Sequence, residues 1–412
     1  MKVVKRAFRN PNSRRRRLAV LSVLASFAWM ACGGPPKGVS TPPQSDSDLR
    51  ADGEAPQPSI ASDPLLRVLI KENFDSVEVR NSTRAPIAQV LRSGDRLRML
   101  TGAEDHPLQE TESGSGFRFE SASQEFLQLD GRSYRGALEV FINPVGALVA
   151  VNELTLEDYL LAVVPLELGP AMFPYLESLK AQAVAARTFA LAGIGQRARY
   201  GFDVYSDTRS QVYGGPAAEH PLSTQAVSET RAVAATWRGQ PIVALYSSTC
   251  GGTTEAFDTL FSGGPLEYLN GGVECSDRSS RHHSWVQPIS ATAIEARLTA
   301  LGAPGRLRDL QLERRSPNGR AVRMRFETNR STLTLLNGDI RDLLELRSNW
   351  ITDLQPRRDP DGYVLDVRVV GRGFGHGVGL CQMGAVEQAR DGRPFDQILK
   401  HYYNGIELTA LY

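Results

Sequence analysis

The sequence predicts an α+β protein, rich in mostly antiparallel strands, and three observations support this fold class. Short alternating apolar runs, separated by Gly and Asn or Asp turns, fill residues 65–151 and again 306–370. One long alanine-rich segment, 175–191, is typical of a buried central helix. Two further helical segments stand near the end of the chain. The 412 residues are 41% hydrophobic and 23% charged, which suits a folded core and excludes a disordered, collagen-like or multispanning protein.

The first 31 residues have the pattern of a signal peptide. Four consecutive arginines at 14–17 precede an apolar stretch at 18–30, which is too short to span a bilayer but typical of a signal-peptide core. Cys32 directly follows the small residue Ala31, which suggests lipoprotein processing with Cys32 as the lipidated first residue. Ordinary cleavage nearby and an uncleaved anchor are the alternatives. All three predict export, and the lipoprotein interpretation predicts a membrane-anchored protein of the cell envelope.

Residues 32–64 are expected to form a flexible tether. Residues 33–64 hold seven of the 24 prolines and no aromatic residue, so this segment cannot bury enough surface to offset its chain entropy.

The charge of the exported chain excludes nucleic acid as a partner. Residues 1–31 contain eight Lys and Arg and no acid, so the rest of the chain has 39 basic and 46 acidic residues and a net charge of −7. A chain this acidic is a poor candidate for binding a phosphate backbone.

The folded part is expected to comprise a β-rich N-terminal part, 65–150, and a region 151–412 that carries the helices. Residues 155–158 resemble a capping box for a helix at 159–164, which Pro165 is expected to end. The alanines of 175–191 let a neighbouring backbone approach closely. Two last helices are predicted at 380–389 and 395–403, with Pro394 suited to the first turn of the second and Gly405 to its C-terminal cap.

Glu167 is the first candidate for chemistry. It follows the predicted helix end and has Leu166, Leu168, Met172 and Phe173 as apolar neighbours in sequence. A carboxylic acid in apolar surroundings has a raised pKa and can stay protonated as a general acid. The alternative is a solvated glutamate in a loop.

The glycine-rich segment 371–379 is the second candidate. Five glycines alternate strictly with other residues, so a ligand or a second stretch of backbone can approach closely beside His376. The spacing is not that of a dinucleotide-binding loop. A structural crossing with His376 as a packed, hydrogen-bonding residue is the alternative to a ligand site.

The cysteines give a third candidate. Export places Cys250, Cys275 and Cys381 in an oxidising compartment, where a disulfide between Cys250 and Cys275 would leave Cys381 free. Zinc held by Cys250, Cys275 and either His282 or His283 is the alternative, although the spacing matches no standard zinc pattern. The disulfide is preferred, and no metal or other cofactor is expected.

Five motifs occur in order along the chain and together resemble one known family. They are Val151-Asn152-x-Leu154-x-Leu156-Glu157-Asp158-Tyr159-Leu160 with Val164-Pro165-x-Glu167, Leu179-Lys180-Ala181-Gln182-Ala183-Val184-Ala185-Ala186-Arg187-Thr188, Asp207-x-x-x-Gln211-Val212-Tyr213-x-Gly215, Ser248-Thr249-Cys250-Gly251-Gly252-x-Thr254-Glu255, and Gly373-x-Gly375-His376-Gly377-Val378-Gly379-Leu380-x-Gln382-x-Gly384-Ala385 with His401-Tyr402-Tyr403-x-Gly405. This set resembles the SpoIID/LytB family, named for stage II sporulation protein D and an amidase-modifier protein. The resemblance runs from near Leu65 to Tyr412.

The resemblance implies a peptidoglycan lytic transglycosylase that cuts glycan strands, preferably strands without stem peptides, in cell-wall remodelling or sporulation. The family's catalytic acid is the glutamate of its P-x-E motif, which is Glu167 here. The further candidates for holding the sugar are Arg187, Asp207, Gln211, Tyr213, His376 and Gln382. The alternative function is a non-catalytic peptidoglycan-binding activator of an N-acetylmuramoyl-L-alanine amidase. A tethered scaffold of the cell envelope is the third possible function.

The chain departs from the family pattern at two positions. Ser247 stands where many relatives carry His, and some relatives bind a structural zinc through His and Cys. The absence of that His favours the disulfide. Cys381 stands where others often have Ser, and it is interpreted as a small packed residue.

Overall fold

The computed structural model describes residues 2–5, 62–83, 85–101, 109–120 and 125–412. The apolar core of the signal peptide, Cys32 and nearly all of the tether lie outside the described residues. Within these ranges, no helix has the length and apolarity needed to cross a membrane. The chain is α+β with more strand than helix, as the sequence predicts, and nearly all strand pairs are antiparallel.

Two six-stranded sheets form the N-terminal half. The first has, in spatial order, Lys2–Lys5, Phe117–Glu120, Ala137–Ile142, Leu148–Thr155, Leu65–Glu72 and Val204–Tyr205. Only its last strand is parallel to its neighbour. The second sheet is antiparallel throughout and has the order Gln109–Ser113, Arg96–Thr101, Pro86–Ser93, Ser76–Arg80, Leu127–Leu129 and Arg132–Tyr134. The strand Leu148–Thr155 crosses the boundary predicted at 150, because it pairs with strands of the β-rich part and leads directly into the first helix.

In the described residues, eight α-helices follow the sheets or lie between later strands. In chain order they are α1 Leu156–Glu167, α2 Leu176–Gly193, α3 Pro221–Glu229, α4 Phe257–Leu260, α5 Ala291–Ala300, α6 Asn337–Leu344, α7 Gln382–Arg390 and α8 Phe395–Tyr402. Three short 3-10 segments are Ala198–Tyr200, Pro216–Ala218 and Glu267–Leu269.

Helix α1 begins as the sequence predicts but ends later. The Thr155 hydroxyl accepts a hydrogen bond from the Asp158 N–H at 3.3 Å, which caps the first turn. Pro165 lies inside the last turn and does not end the helix, so that prediction was wrong. The proline lacks one N–H, but the Leu168 N–H still reaches the Val164 carbonyl at 3.0 Å and closes the turn. Glu167 is therefore the last helical residue.

Helix α2 is the buried central helix that the alanine pattern predicts, and it lies between two cores. Ala183, Ala186 and Ala190 pack in the core shared by the two large sheets, α1 and α3. Ala181 and Ala185 pack in a second core with α7 and α8. Small side chains on both faces let the sheets and the C-terminal helices approach the helix from opposite sides.

Two small sheets complete the second core. One has the order Gln240–Pro241, Val233–Trp237 and Glu407–Ala410. The other is a short parallel pair of Tyr246–Ser247 with Leu380–Cys381. This pair joins the middle of the chain to the start of α7, so it brings two of the sequence motifs together.

A third core belongs to the β-rich stretch predicted at 306–370. Two antiparallel three-stranded sheets enclose it with α5 and α6. Their strands are Ser284–Ser290, Val364–Arg372 and Trp350–Arg358 in one, and Leu307–Arg315, Ala321–Thr328 and Thr332–Leu336 in the other.

Candidate active site

Glu167 lies at the C-terminal end of α1 with its side chain partly buried. Its Oε1 accepts a hydrogen bond from the backbone N–H of Val212 at 2.8 Å. Burial raises the pKa of this carboxyl to about 7, while hydrogen bonds from Val212 and from the side chains of Tyr246 and Gln382 lower it. Desolvation prevails, so a large share of Glu167 carries a proton at neutral pH.

A hydrogen-bond chain of three side chains leads to this carboxyl. Tyr159 donates to Oε1 of Gln211 at 3.2 Å, and Nε2 of Gln211 donates to the Tyr246 hydroxyl at 2.9 Å. Because Tyr246 accepts from Gln211, its own proton is free to hydrogen bond with Glu167. Nε2 of Gln211 also reaches the Ala186 carbonyl of α2 at 3.3 Å. The chain thus fixes Tyr246 against the end of α1.

Gln382 approaches Glu167 from the first position of α7. Its Nε2 donates to the backbone carbonyl of Glu167 at 3.0 Å and to Oε1 of Gln182 at 3.2 Å. These bonds join the ends of α1 and α7 to the middle of α2. Gln382 is nearly fully buried, so its main contacts are within the protein.

Tyr213 is buried beside Tyr159. Its ring stacks on that of Tyr159 with 5.2 Å between centroids, and its hydroxyl donates to Oδ1 of Asn152 at 2.8 Å. Burial raises the pKa of this phenol far above its ordinary range. Tyr213 therefore supports the tyrosine that starts the hydrogen-bond chain.

Arg187 is fully buried in the core, and a sugar-binding role for it has to be corrected. Its Nε and Nη2 donate to the two carboxylate oxygens of Glu157 at 2.7 and 2.8 Å. It also donates to the carbonyls of Val233 and Val227. A substrate has no access to this guanidinium, which instead neutralises a buried carboxylate of α1.

Asp207 is occupied by its neighbour Arg209. The guanidinium donates to both carboxylate oxygens, at 2.7 Å from Nη2 and 3.0 Å from Nε, and the Arg209 N–H adds a bond of 2.9 Å. The pKa of Asp207 is lowered because these bonds outweigh its partial burial. Asp207 is ionised and shapes the loop that leads to Gln211.

The alternating glycines of 371–379 make room for a second stretch of backbone. Gly377 and Gly379 both have positive φ, at 72° and 75°. A Cβ at Gly377 would lie 1.9 Å from Nη2 of Arg320, and one at Gly379 would lie 2.0 Å from the Leu245 carbonyl oxygen. The segment therefore packs against residues 245–250, as the structural crossing requires, and a role for His376 in binding substrate stays a prediction.

His376 is a packed, neutral imidazole beside this crossing. Its Nδ1 accepts from the Val378 N–H at 3.0 Å, and its ring meets that of Phe261 edge-on. Burial and the charges of Arg341 and Arg320 lower its pKa to about 3. Its ring is therefore uncharged at neutral pH.

The disulfide predicted between Cys250 and Cys275 is not formed in this structure and stays a prediction. Cys250, Cys275 and Cys381 are all buried free thiols. They lie together in one cluster, and Cys381 belongs to it. Neither histidine joins them, because Nδ1 of His283 is bound to Asp277 at 2.7 Å and the ring of His282 packs edge-on against Phe374.

Tyr246 is the site residue that the sequence did not single out. It lies in the short strand Tyr246–Ser247, whose parallel partner precedes Gln382. Its position just before the Ser248-Thr249-Cys250-Gly251-Gly252 motif is the one signal that could have found it.

Comparisons with known proteins identify the family of this chain. A family model of SpoIID, described as stage II sporulation protein, matches residues 145–237. Stage II sporulation protein D of Bacillus subtilis is 30% identical over 283 residues, which cover 63% of this chain and 76% of that protein. This chain belongs to the stage II sporulation protein D family. An uncharacterized protein of Brachyspira hyodysenteriae is 33% identical over 71% of this chain and 76% of its own length.

Two further matches extend beyond that domain. The amidase enhancer of Bacillus subtilis is 26% identical over 69% of this chain and 45% of its own length. A domain of unknown function, DUF8618, matches residues 267–379 and so covers the third core. In this SpoIID-family chain, the stage II sporulation match contains Glu167, Gln211 and Tyr213, whereas Tyr246 and Gln382 reach the same site from outside it.

Proposed function

We propose that this SpoIID-family protein is a peptidoglycan lytic transglycosylase in which Glu167 is the only acid–base group. The observation that carries the proposal is the partly buried Glu167 carboxyl, whose pKa burial raises to about 7. A group that both gives and takes a proton in one reaction works best when its pKa is near the working pH. Glu167 meets that condition, and an ordinary surface glutamate does not.

The chemistry requires one carboxyl to act twice. Protonated Glu167 gives its proton to the oxygen between N-acetylmuramic acid and N-acetylglucosamine, and the bond from that oxygen to C1 of the muramic residue breaks. The Glu167 carboxylate then takes the proton of the C6 hydroxyl of the same sugar, and the C6 oxygen bonds to C1. The products are a 1,6-anhydro end and a free hydroxyl on the leaving sugar. No water is consumed.

One carboxyl is sufficient because the nucleophile belongs to the substrate. An intramolecular hydroxyl has a high effective concentration, so a second carboxylate to activate water is not required. The Val212 N–H and the Tyr246 hydroxyl hold the carboxyl in place between its two proton transfers. Both bonds also favour the ionised form, which helps Glu167 to lose its first proton.

The proposed location follows from the sequence. Export, lipidation at Cys32 and the tether of 32–64 would place the folded part at a membrane of the cell envelope, within reach of glycan strands.

The experiment compares three full-length proteins, the wild type, Glu167→Gln and the control Glu267→Gln. Glu267 is an exposed glutamate whose nearest ion-pair contact, to Arg238, is 3.6 Å. Each is incubated with purified glycan strands with and without stem peptides, and mass spectrometry counts 1,6-anhydromuramic ends. We expect the wild type and the control to cut, and Glu167→Gln to lose at least about 100-fold in rate while it still binds insoluble peptidoglycan. Binding by all three without cutting by any contradicts the proposal.

Activation of an N-acetylmuramoyl-L-alanine amidase is the second candidate, and the similarity to an amidase enhancer favours it. An activator does not cut glycan strands, so in this function Glu167 would not take part in a proton transfer. An amidase assay on intact peptidoglycan with each of the three proteins distinguishes the two functions. Equal stimulation by the wild type and Glu167→Gln, with no 1,6-anhydro ends, supports the activator.

A further inference from the structure

We propose that Cys250, Cys275 and Cys381, with the carboxylate of Asp277, form a binding site for a thiophilic divalent metal ion such as Zn²⁺. The three sulfur atoms lie within 4.8 Å of one another, and all three residues are buried. Thiolates that share a tetrahedral zinc at Zn–S distances of about 2.3 Å are about 3.8 Å apart. The cluster therefore needs only a small contraction to accept the ion. This inference does not depend on the proposed function.

Cys381 is prepared for the thiolate form by its backbone surroundings. It is the N-terminal capping residue of α7, and its Sγ accepts hydrogen bonds from the N–H groups of Gly384 at 3.4 Å and Cys250 at 3.2 Å. N–H groups directed at a sulfur favour its anionic form, which is the form that binds a metal. The bond from the Cys250 N–H also holds two of the three proposed cysteine ligands next to each other.

Asp277 is placed as the fourth ligand. Its Oδ2 is 3.5 Å from Sγ of Cys381, and a carboxylate oxygen and a thiolate bound to one tetrahedral zinc are about 3.5 Å apart. The same Oδ2 accepts from the Gly251 N–H at 2.7 Å, and Oδ1 contacts Nδ1 of His283 at 2.7 Å. These outer contacts hold the carboxylate beside Sγ of Cys381, as the second layer around a metal site commonly does.

A buried cation with unused hydrogen-bond donors stands beside the cluster. Arg320 is fully buried, and only Nη2 of its guanidinium has a hydrogen bond, to the Cys250 carbonyl at 2.8 Å. In the part of the chain that the structure describes, Nε and Nη1 have no partner. Three thiolates and a carboxylate around a divalent ion carry a net charge of about −2, which this guanidinium would partly offset. Arg320 lies close enough to all three cysteines to interact electrostatically with each.

The ion would join two segments that carry the candidate active site. Cys250 follows the strand with Tyr246, and Cys381 directly precedes Gln382. On binding, the three thiols release their protons to solvent and the ion holds these segments together. The ligand set differs from the one considered from sequence, because it takes Cys381 and no histidine.

The test uses the full-length protein with Cys32→Ser as its reference, so that the cluster contains every cysteine present. It is purified without reductant in the presence of zinc chloride, and its metal content and its thiols after denaturation in chelator are measured. We expect about one zinc per chain and three reactive thiols. A bond between Cys250 and Cys275 in the peptide map, or a metal-free protein, overturns the proposal.

Three further variants in this background locate the ligands. Cys381→Ser is expected to lose the bound zinc and, with Co²⁺ in its place, the thiolate-to-cobalt absorption band that the reference shows. Asp277→Asn is expected to weaken zinc binding at least about tenfold. Gly362→Ala, in a turn with open space around it, serves as the matched control that keeps both signals. Full zinc retention by Cys381→Ser contradicts the site even if other variants fail to fold.

Discussion

The backbone N–H of Val212 lies 2.8 Å from Oε1 of Glu167, although the two residues are 45 positions apart in the chain. This bond attaches the end of α1 to the segment that also carries Gln211 and Tyr213. It holds the Glu167 carboxyl in one orientation, and its donor is an uncharged backbone group. The pKa of Glu167 is therefore set mainly by burial, which raises it, and only moderated by neutral hydrogen-bond donors, which lower it.

Replacing Glu167 by Gln is expected to stabilise the protein above neutral pH. The carboxyl has a pKa near 4.5 when unfolded and about 7 when folded, so the folded state binds more protons between these values. The proton on Glu167 contributes to the stability of the folded wild type in full below pH 4.5. This contribution falls as the pH rises to about 7, by at most about 3 kcal/mol in total. Glu167→Gln has no such loss. Chemical denaturation at pH 5 and pH 8 should show a much larger advantage over wild type at pH 8, and an advantage that is equal at both pH values contradicts the raised pKa.

Tyr246→Phe is expected to move the pH dependence of cutting. The rate should fall above about pH 7, because Glu167 must start protonated. Loss of the Tyr246 hydroxyl removes a bond that lowers the pKa of Glu167, so the fall should shift to higher pH. Tyr403→Phe is the control, since its hydroxyl donates to the Leu245 carbonyl at 2.8 Å and is not a partner of the carboxyl. An unchanged profile for Tyr246→Phe excludes Tyr246 as a positioning residue.

Arg187→Met is expected to destabilise the fold and leave glycan binding unchanged. It leaves the Glu157 carboxylate buried without its cation, at a cost of about 3–5 kcal/mol. The double variant with Glu157→Gln should recover part of this loss in thermal or denaturant unfolding. Arg238→Met, in an exposed pair, should cost less than about 1 kcal/mol. If Arg187→Met folds but binds peptidoglycan more weakly than the wild type, Arg187 does contribute to sugar binding.

Gly377→Ala is expected to be more destabilising than Gly362→Ala. Both glycines have positive φ, at 72° and 85°, so both variants incur the left-handed cost of about 1–2 kcal/mol. Only the Cβ at Gly377 meets another group, Nη2 of Arg320, and overpacking adds about 1–3 kcal/mol. The difference between the two unfolding free energies measures the close crossing. Equal losses of unfolding free energy in the two variants would mean that the Arg320 side chain moves away from the new Cβ without cost.

The local elements of this fold were predictable from sequence. The alanine-rich segment predicted as a helix at 175–191 is α2, Leu176–Gly193, because composition and period both favour a helix there. The cap at Thr155 is also formed as predicted. Pro165 was misjudged, since a proline in the last turn costs only one hydrogen bond.

The long-range partners were not predictable from local patterns. Arg187 finds Glu157 30 residues away, and nothing near either residue in sequence indicates a buried pair. Cys381 is 131 residues from Cys250, a separation outside any motif spacing. The five alternating glycines predicted a close approach, but only the fold shows that residues 245–250 and the side chains of Trp285 and Arg320 fill the space.

The most direct test of the central claim is the fate of water during cutting. Denuded glycan strands are digested by the full-length protein in water enriched in ¹⁸O, and the new muramic ends are weighed by mass spectrometry. The account predicts 1,6-anhydro ends without ¹⁸O in the wild type and no new ends with Glu167→Gln. Reducing ends that carry ¹⁸O would show that water is the nucleophile, and they would contradict a reaction in which Glu167 delivers the substrate's own hydroxyl.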